Sequence, residues 1–140
     1  MNSEAKKNKP FFNHIMTVSN HRPFTYPEGK IDISPKIKSR VGGVKYTDYA
    51  LKQFFAMASK QSWFKNTVFV ILADHCASSS GKTELPMDKY HIPAMIYAPG
   101  FISAKEDTIL MSQIDIMPTL FGLLNFSYQS KFYGQDVFSP

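Results

Sequence analysis

Asp74 and His75 are the adjacent pair best suited to chemistry in this 140-residue chain, because they follow the apolar run Val68-Phe69-Val70-Ile71-Leu72-Ala73 without a break. In open α/β sheets, ligands gather beyond the C-terminal ends of strands, where side chains converge without disturbing the core. A carboxylate oxygen and a neutral imidazole nitrogen both suit zinc or manganese, and neighbouring residues can serve one ion if the chain turns at once after the strand. On composition alone a helix cap or an ordinary surface turn is the simpler account of the same two residues. His21 is a second candidate: its setting, Ser19-Asn20-His21-Arg22-Pro23, is polar for a core histidine, although a turn histidine satisfied by backbone fits it as well. Arg22 beside it has the planar fork that pairs with phosphate or sulfate, or is simply solvated.

Other chemical readings are weaker. Ser80-Gly81-Lys82-Thr83 has the end of a phosphate-binding loop, but the glycine required at its start falls on Cys76, so the backbone cradle lacks its small residue. A polar loop explains it better. Cys76 is the sole cysteine; it cannot close an internal disulfide, and nothing around it marks an activated thiolate. Serines 78 to 80 have no visible base and orienting acid, so no hydrolytic triad is assembled from them. His91 precedes a strand and is expected at the end of the sheet away from the ligand edge. His14 lies inside an apolar run and reads as packed or hydrogen-bonded.

These groups need elements to position them. Residues 1–10 read as a flexible polar tail, and Phe11 to Val18 as a mostly buried strand. From Phe24 to Gly43, prolines and glycines punctuate a long connection without a regular period. Val44 to about Lys60 is the clearest helix, with Thr47, Ala50, Leu51, Phe54, Phe55 and Ala58 on one side. Thr67 to Ala73 is apolar on both faces, the pattern of a central parallel strand. Ile92 to Ala98 forms another strand, with Pro93 at its start. A last helix begins near Asp115. Ser112 and Asp115 have capping-box spacing, but Asp115 as N-cap is preferable because it puts Pro118 at the third helical position, where no intrahelical amide is needed. Phe121, Leu123, Leu124 and Phe126 then pack that helix or its exit.

With 44% hydrophobic residues and twelve phenylalanines, the chain has material for a core. Its formal net charge of +5 favours anionic surroundings, but the basic residues are scattered rather than gathered on a nucleic-acid footprint, and no nucleic-acid partner is expected. No stretch reaches the roughly twenty apolar residues that cross a bilayer. The polar start lacks the apolar core of a signal peptide.

As an ordered set, Thr17-Val18-Ser19-Asn20-His21-Arg22-Pro23-Phe24, Tyr46-Thr47-Asp48-Tyr49-Ala50, Ala73-Asp74-His75, Ile92-Pro93-Ala94-Met95-Ile96-Tyr97-Ala98-Pro99 and Asp115-Ile116-Met117-Pro118-Thr119 resemble the C-terminal half of the lipoteichoic acid synthase and phosphoglycerol transferase branch of the sulfatase-like family. The resemblance runs from Phe11 to the end and implies an α/β fold: residues 11–140 as the C-terminal portion of an alkaline-phosphatase/sulfatase-like domain, with a mixed or mostly parallel sheet flanked by helices. It implies that Asp74 and His75 are metal ligands and that His21 is catalytic, contacting the transferred phosphate or its departing oxygen, with Arg22 at the substrate edge. A divalent metal, manganese or zinc, would serve the complete enzyme. The family's threonine nucleophile and further acidic ligand have no match here, nor do Thr17 or Thr83 fit that motif, so the isolated chain is expected to be inactive. The implied substrate of the whole protein is a phosphoglycerol-bearing lipid or an anionic envelope glycopolymer. It is handled by a membrane-anchored, extracytoplasmic enzyme through a covalent phosphoglycerol intermediate. A sulfate-ester hydrolase and a non-catalytic glycopolymer-binding unit are the alternatives. Self-association through exposed sheet edges is a further expectation.

Overall fold

The computed structural model describes residues 1–77 and 87–139, and these divide into two compact units, Met1–Ser103 and Ala104–Pro140. The glycine-lysine-threonine loop and serines 78 to 80 lie outside the described residues. The first unit opens with a single helical turn, α1 (Asn2–Ala5), whose Asn2 Oδ1 accepts the Trp63 indole N–H at 2.7 Å. Residues 10–18 carry no regular element. Phe12, Ile15, Met16 and Val18 are exposed there, and so is His14, against the expectation of a buried strand.

Helix α2 runs Arg40–Ala58. It begins four residues earlier than the apolar periodicity predicts, because Ser39 caps it by accepting the Gly42 amide at 3.1 Å. Gly42 and Gly43 therefore sit in its first turn and not in the preceding connection. Their lack of side chains has a packing use. A Cβ on Gly43 would stand 2.7 Å from the Ser19 carbonyl and 3.3 Å from Asn20 Cα, and one on Gly42 would collide with the Tyr26 hydroxyl. The residue 19–26 loop lies directly on the helix. Tyr26 continues the contact by stacking on Tyr46, with ring centroids 5.2 Å apart.

Strand β1 (Phe69–Leu72) follows, then the short helix α3 (Met87–Tyr90) and strand β2 (Ala94–Tyr97). β1 and β2 pair antiparallel, with Phe69 opposite Tyr97 and Leu72 opposite Ala94. This corrects the expected mixed or mostly parallel sheet: the described sheet has two strands and one antiparallel ladder. Apolar character on both faces reports how a strand is meant to be covered, not the direction of its neighbour. A parallel partner requires a crossover to the far end of the sheet, whereas β2 starts at the end where β1 stops. The same register overturns the placement of His91, which lies just before β2 at the same sheet end as Asp74 and His75.

An aromatic cluster fixes the other end of the sheet. Phe69, 8% exposed, meets Phe54 and Phe55 of α2 edge-on at 5.9 and 5.2 Å, Phe64 at 5.5 Å and Tyr97 at 6.0 Å. β1 is thus clamped where it begins, and Leu72 at its end is exposed.

In the second unit, a 3-10 turn at Gln113–Asp115 leads into α4 (Ile116–Leu123). Asp115 precedes α4 and Pro118 occupies its third position, as expected, but the disfavoured capping box also forms, one turn earlier. Asp115 accepts the Ser112 amide at 2.8 Å and the Gln135 amide at 3.0 Å, so its carboxylate braces the turn and the C-terminal segment instead of capping α4. Thr119, 1% exposed, accepts the Val137 amide at 3.1 Å. Phe121 packs with Phe126, Tyr128 and Phe132.

Candidate metal and phosphate site

Asp74 and His75 emerge two and three residues beyond β1 in an exposed bend. The chain bends there: Asp74 Oδ1 accepts the His75 amide at 3.0 Å, folding the carboxylate back over its neighbour. His75 Nδ1 lies 2.7 Å from the Cys76 carbonyl oxygen. A carbonyl only accepts, so Nδ1 carries the proton, and a neutral ring holds its lone pair on Nε2. Nε2 in turn stands 3.5 Å from Asp74 Oδ2. Two electron-rich atoms in this relation are bridged favourably by a cation, either a proton on Nε2 or a metal ion. Two donors about 2.1 Å from one tetrahedral ion stand roughly 3.4 Å apart, so the observed separation fits a shared divalent metal.

The pair is not a complete cage. Among the described residues no group of three or more His, Cys, Asp and Glu is arranged to hold a metal ion. Cys76, next in sequence, is buried, which keeps its thiol from the exposed bend and agrees with a non-nucleophilic role.

His21 and Arg22 occupy a tight turn before α2. The His21 amide donates to the Val18 carbonyl at 3.0 Å, and the Phe24 amide closes the turn on the His21 carbonyl at 2.7 Å, across a cis Arg22–Pro23 peptide. His21 Nδ1 donates to the Arg22 carbonyl at 2.8 Å, which leaves Nε2 for exchange with solvent or ligand. Both His21 and Arg22 are exposed. Phe24 holds the turn down: it is 7% exposed and adopts φ +59°, a left-handed conformation costly for a bulky residue.

The two loops share one contact that sequence reasoning missed. Arg40, the first residue of α2, lies over the Phe24 ring at 5.4 Å, and its Nη2 donates to the Ala77 carbonyl at 3.5 Å. One side chain thereby touches the His21 turn and the segment just after Asp74 and His75. The available signal was Ser39 as N-cap, which would have moved the helix start to Arg40.

Comparison with known proteins gives these loops a context. A family model described as Sulfatase matches residues 2–126. The lipoteichoic acid synthase-like protein YvgJ of Bacillus subtilis is 30% identical over 166 residues, covering 99% of this chain and 27% of that protein. Lipoteichoic acid synthase of Staphylococcus aureus is 27% identical, covering 99% of this chain and 24% of its own length. A solved structure of a protein in the alkaline phosphatase superfamily from Vibrio parahaemolyticus shares 38% identity and a TM-score of 0.78, over 89% of this chain and 30% of that one. The chain thus spans 24–30% of the length of these three relatives. By sequence and by architecture, the chain belongs to the sulfatase family within the alkaline phosphatase superfamily and is homologous to its lipoteichoic acid synthase-like members.

Proposed function

We propose that this chain is the C-terminal portion of the catalytic domain of a metal-dependent phosphoglycerol or related phospho-group transferase that acts on a membrane or envelope glycopolymer. The observation that carries the reading is the Asp74–His75 pair, with its tautomer fixed by the Cys76 carbonyl and its two donor atoms 3.5 Å apart. Names of the relatives support transfer to a lipoteichoic-acid-type polymer.

In this reading Asp74 and His75 hold a divalent ion, manganese or zinc, which when bound activates an attacking hydroxyl and neutralises charge on the phosphoryl oxygens. Arg22 pairs with the phosphate. Transfer makes a bond from phosphorus to the attacking oxygen and breaks the bond to the lipid oxygen, which takes up a proton; His21, protonated at Nε2, is the donor. The attacking hydroxyl comes from elsewhere in the whole protein. Thr119 is buried, and the Thr47 and Thr67 hydroxyls are committed to the Gly43 and Trp63 carbonyls. The whole protein is read as membrane-anchored with an extracytoplasmic catalytic domain. Within this chain, among the described residues, no helix is long and apolar enough to cross a membrane.

The pure chain is expected to bind Zn²⁺ or Mn²⁺ weakly through Asp74 and His75, and to release no glycerol phosphate from phosphatidylglycerol vesicles. Metal-dependent turnover by the chain alone, abolished by Asp74→Ala, would overturn its reading as a partial site. The Sulfatase match supports a second reading, sulfate-ester hydrolysis. Hydrolysis of an aryl sulfate by the whole protein, without phosphoglycerol transfer, would establish that alternative.

A further inference from the structure

We propose that Arg40 is a positioning residue that locks the His21 turn to the Asp74–His75 loop, so that phosphate-contacting and metal-holding groups act as one site. The inference rests on the reading of those two loops as a common site. Arg40 is well placed for the task. It is the first residue of α2, its backbone is set by the Ser39 cap, and the glycine at position 43 lets the same helix end press against Ser19 and Asn20. From that fixed origin the guanidinium makes two different contacts. Its Cζ lies 5.4 Å from the centroid of Phe24, the residue that closes the His21 turn, and its Nη2 reaches the carbonyl of Ala77, two residues past His75, at 3.5 Å. Only arginine combines a delocalised cation that stacks on a ring with several N–H groups directed along its edge.

Asp74, His75, His21 and Arg22 are all exposed, and the contacts of Arg40 reach both segments from one side chain. The cation over Phe24 also opposes release of a ring held in an unfavourable backbone conformation. Arg40 touches no substrate in this scheme. It acts through Phe24 on His21, and through Ala77 on His75.

The test uses the 140-residue chain and amide exchange read by NMR at Phe24 and His75. Arg40→Ala is expected to accelerate both amides roughly three- to tenfold, while Val70 and Ile71 of β1 keep their rates. Two further variants divide the contacts. Arg40→Lys retains a cation for Phe24 and is expected to restore the Phe24 rate alone; Arg40→Gln retains a donor for Ala77 and is expected to restore His75 alone. A Zn²⁺ titration followed at the His75 ring should need roughly tenfold more metal in Arg40→Ala. Unchanged exchange at both amides, or uniform acceleration throughout the unit, would overturn the proposal. Asp74→Ala supplies the separate control. If it leaves the Zn²⁺ response of His75 intact, the metal-site reading fails, while the exchange rates still decide whether Arg40 joins the loops.

Discussion

The His75 ring shows how one backbone contact can decide what a side chain is able to bind. With Nδ1–H held by the Cys76 carbonyl, only Nε2 can receive a proton or a metal, and it faces the Asp74 carboxylate. Asp74→Asn preserves shape but removes the charge that makes the pair attractive to a cation, so it is expected to weaken Zn²⁺ binding at least about tenfold. Isothermal titration of the two proteins checks this, and equal affinities would remove Asp74 from the site. Phe24 allows a sharper test of backbone strain. Phe24→Ala loses the buried ring and keeps a β-carbon at φ +59°, whereas Phe24→Gly loses the ring but fits that conformation. The alanine variant is therefore expected to be the less stable of the two by about 1 kcal/mol in urea unfolding, although glycine is normally the poorer choice. The sequence displayed the chemical groups at both places, since residue types and the polar turns around them are local facts. It did not display Arg40's part, because that depends on which loops the first turn of α2 meets.

Between elements, the closest restraint on the site is the approach of α2 to the residue 19–26 loop. Gly43→Ala would ordinarily favour a helix by up to about 1 kcal/mol. Here the new methyl meets the Ser19 carbonyl at 2.7 Å and Phe24 Cδ1 at 3.2 Å, with backbone on one side that cannot rotate away. A net loss of about 1–3 kcal/mol is expected, with changed His21 ring shifts; a stabilised variant would show that the loop does not bear on the helix. The Lys45–Asp32 pair ties the same helix to the long connection at 2.7 Å, and the Lys45 ammonium holds the Asp32 carboxyl below its usual range. A depressed folded-state value means that the contribution is present above roughly pH 4 and fades as the pH falls through the lowered value. Lys45→Met should flatten that part of the acid unfolding curve without altering stability at alkaline pH relative to pH 7. Helix α2 and both strands were legible from periodicity and apolar runs. Their pairing direction was not, because strand composition encodes coverage of the faces while register and direction follow from the connection. The Asp115 motif shows a related limit: its spacing to Ser112 was visible, but its bond to Gln135 joins segments twenty residues apart.

Across the whole molecule, the exposed apolar surface has the most direct physical consequence. The first unit leaves Phe12 76%, Met16 66% and Val18 70% exposed, and Leu72 and Met95 are exposed on the small sheet. Among the described residues the sheet is a two-stranded ladder, and strand edges of this kind can pair with another chain. The sequence marked β1 as a strand buried on both faces; the strand forms, yet of residues 69–72 only Phe69 is buried. Relatives in which the matching region is 27–30% of the chain have further polypeptide with which to cover it. For the isolated chain, we predict concentration-dependent self-association near neutral pH, driven by apolar burial and therefore strengthened by sulfate salts. Sedimentation velocity across a wide protein range should show larger species growing with concentration. Replacing Phe12 and Val18 together by aspartate should shift that growth to higher concentration while leaving the Phe69 cluster folded, as judged by near-ultraviolet circular dichroism. The two positions carry no regular element and are already exposed, so their charge adds little cost to the monomer but opposes burial against a second copy. A chain that remains monomeric throughout, or a double variant that associates as strongly as the original, would exclude this segment as the contact.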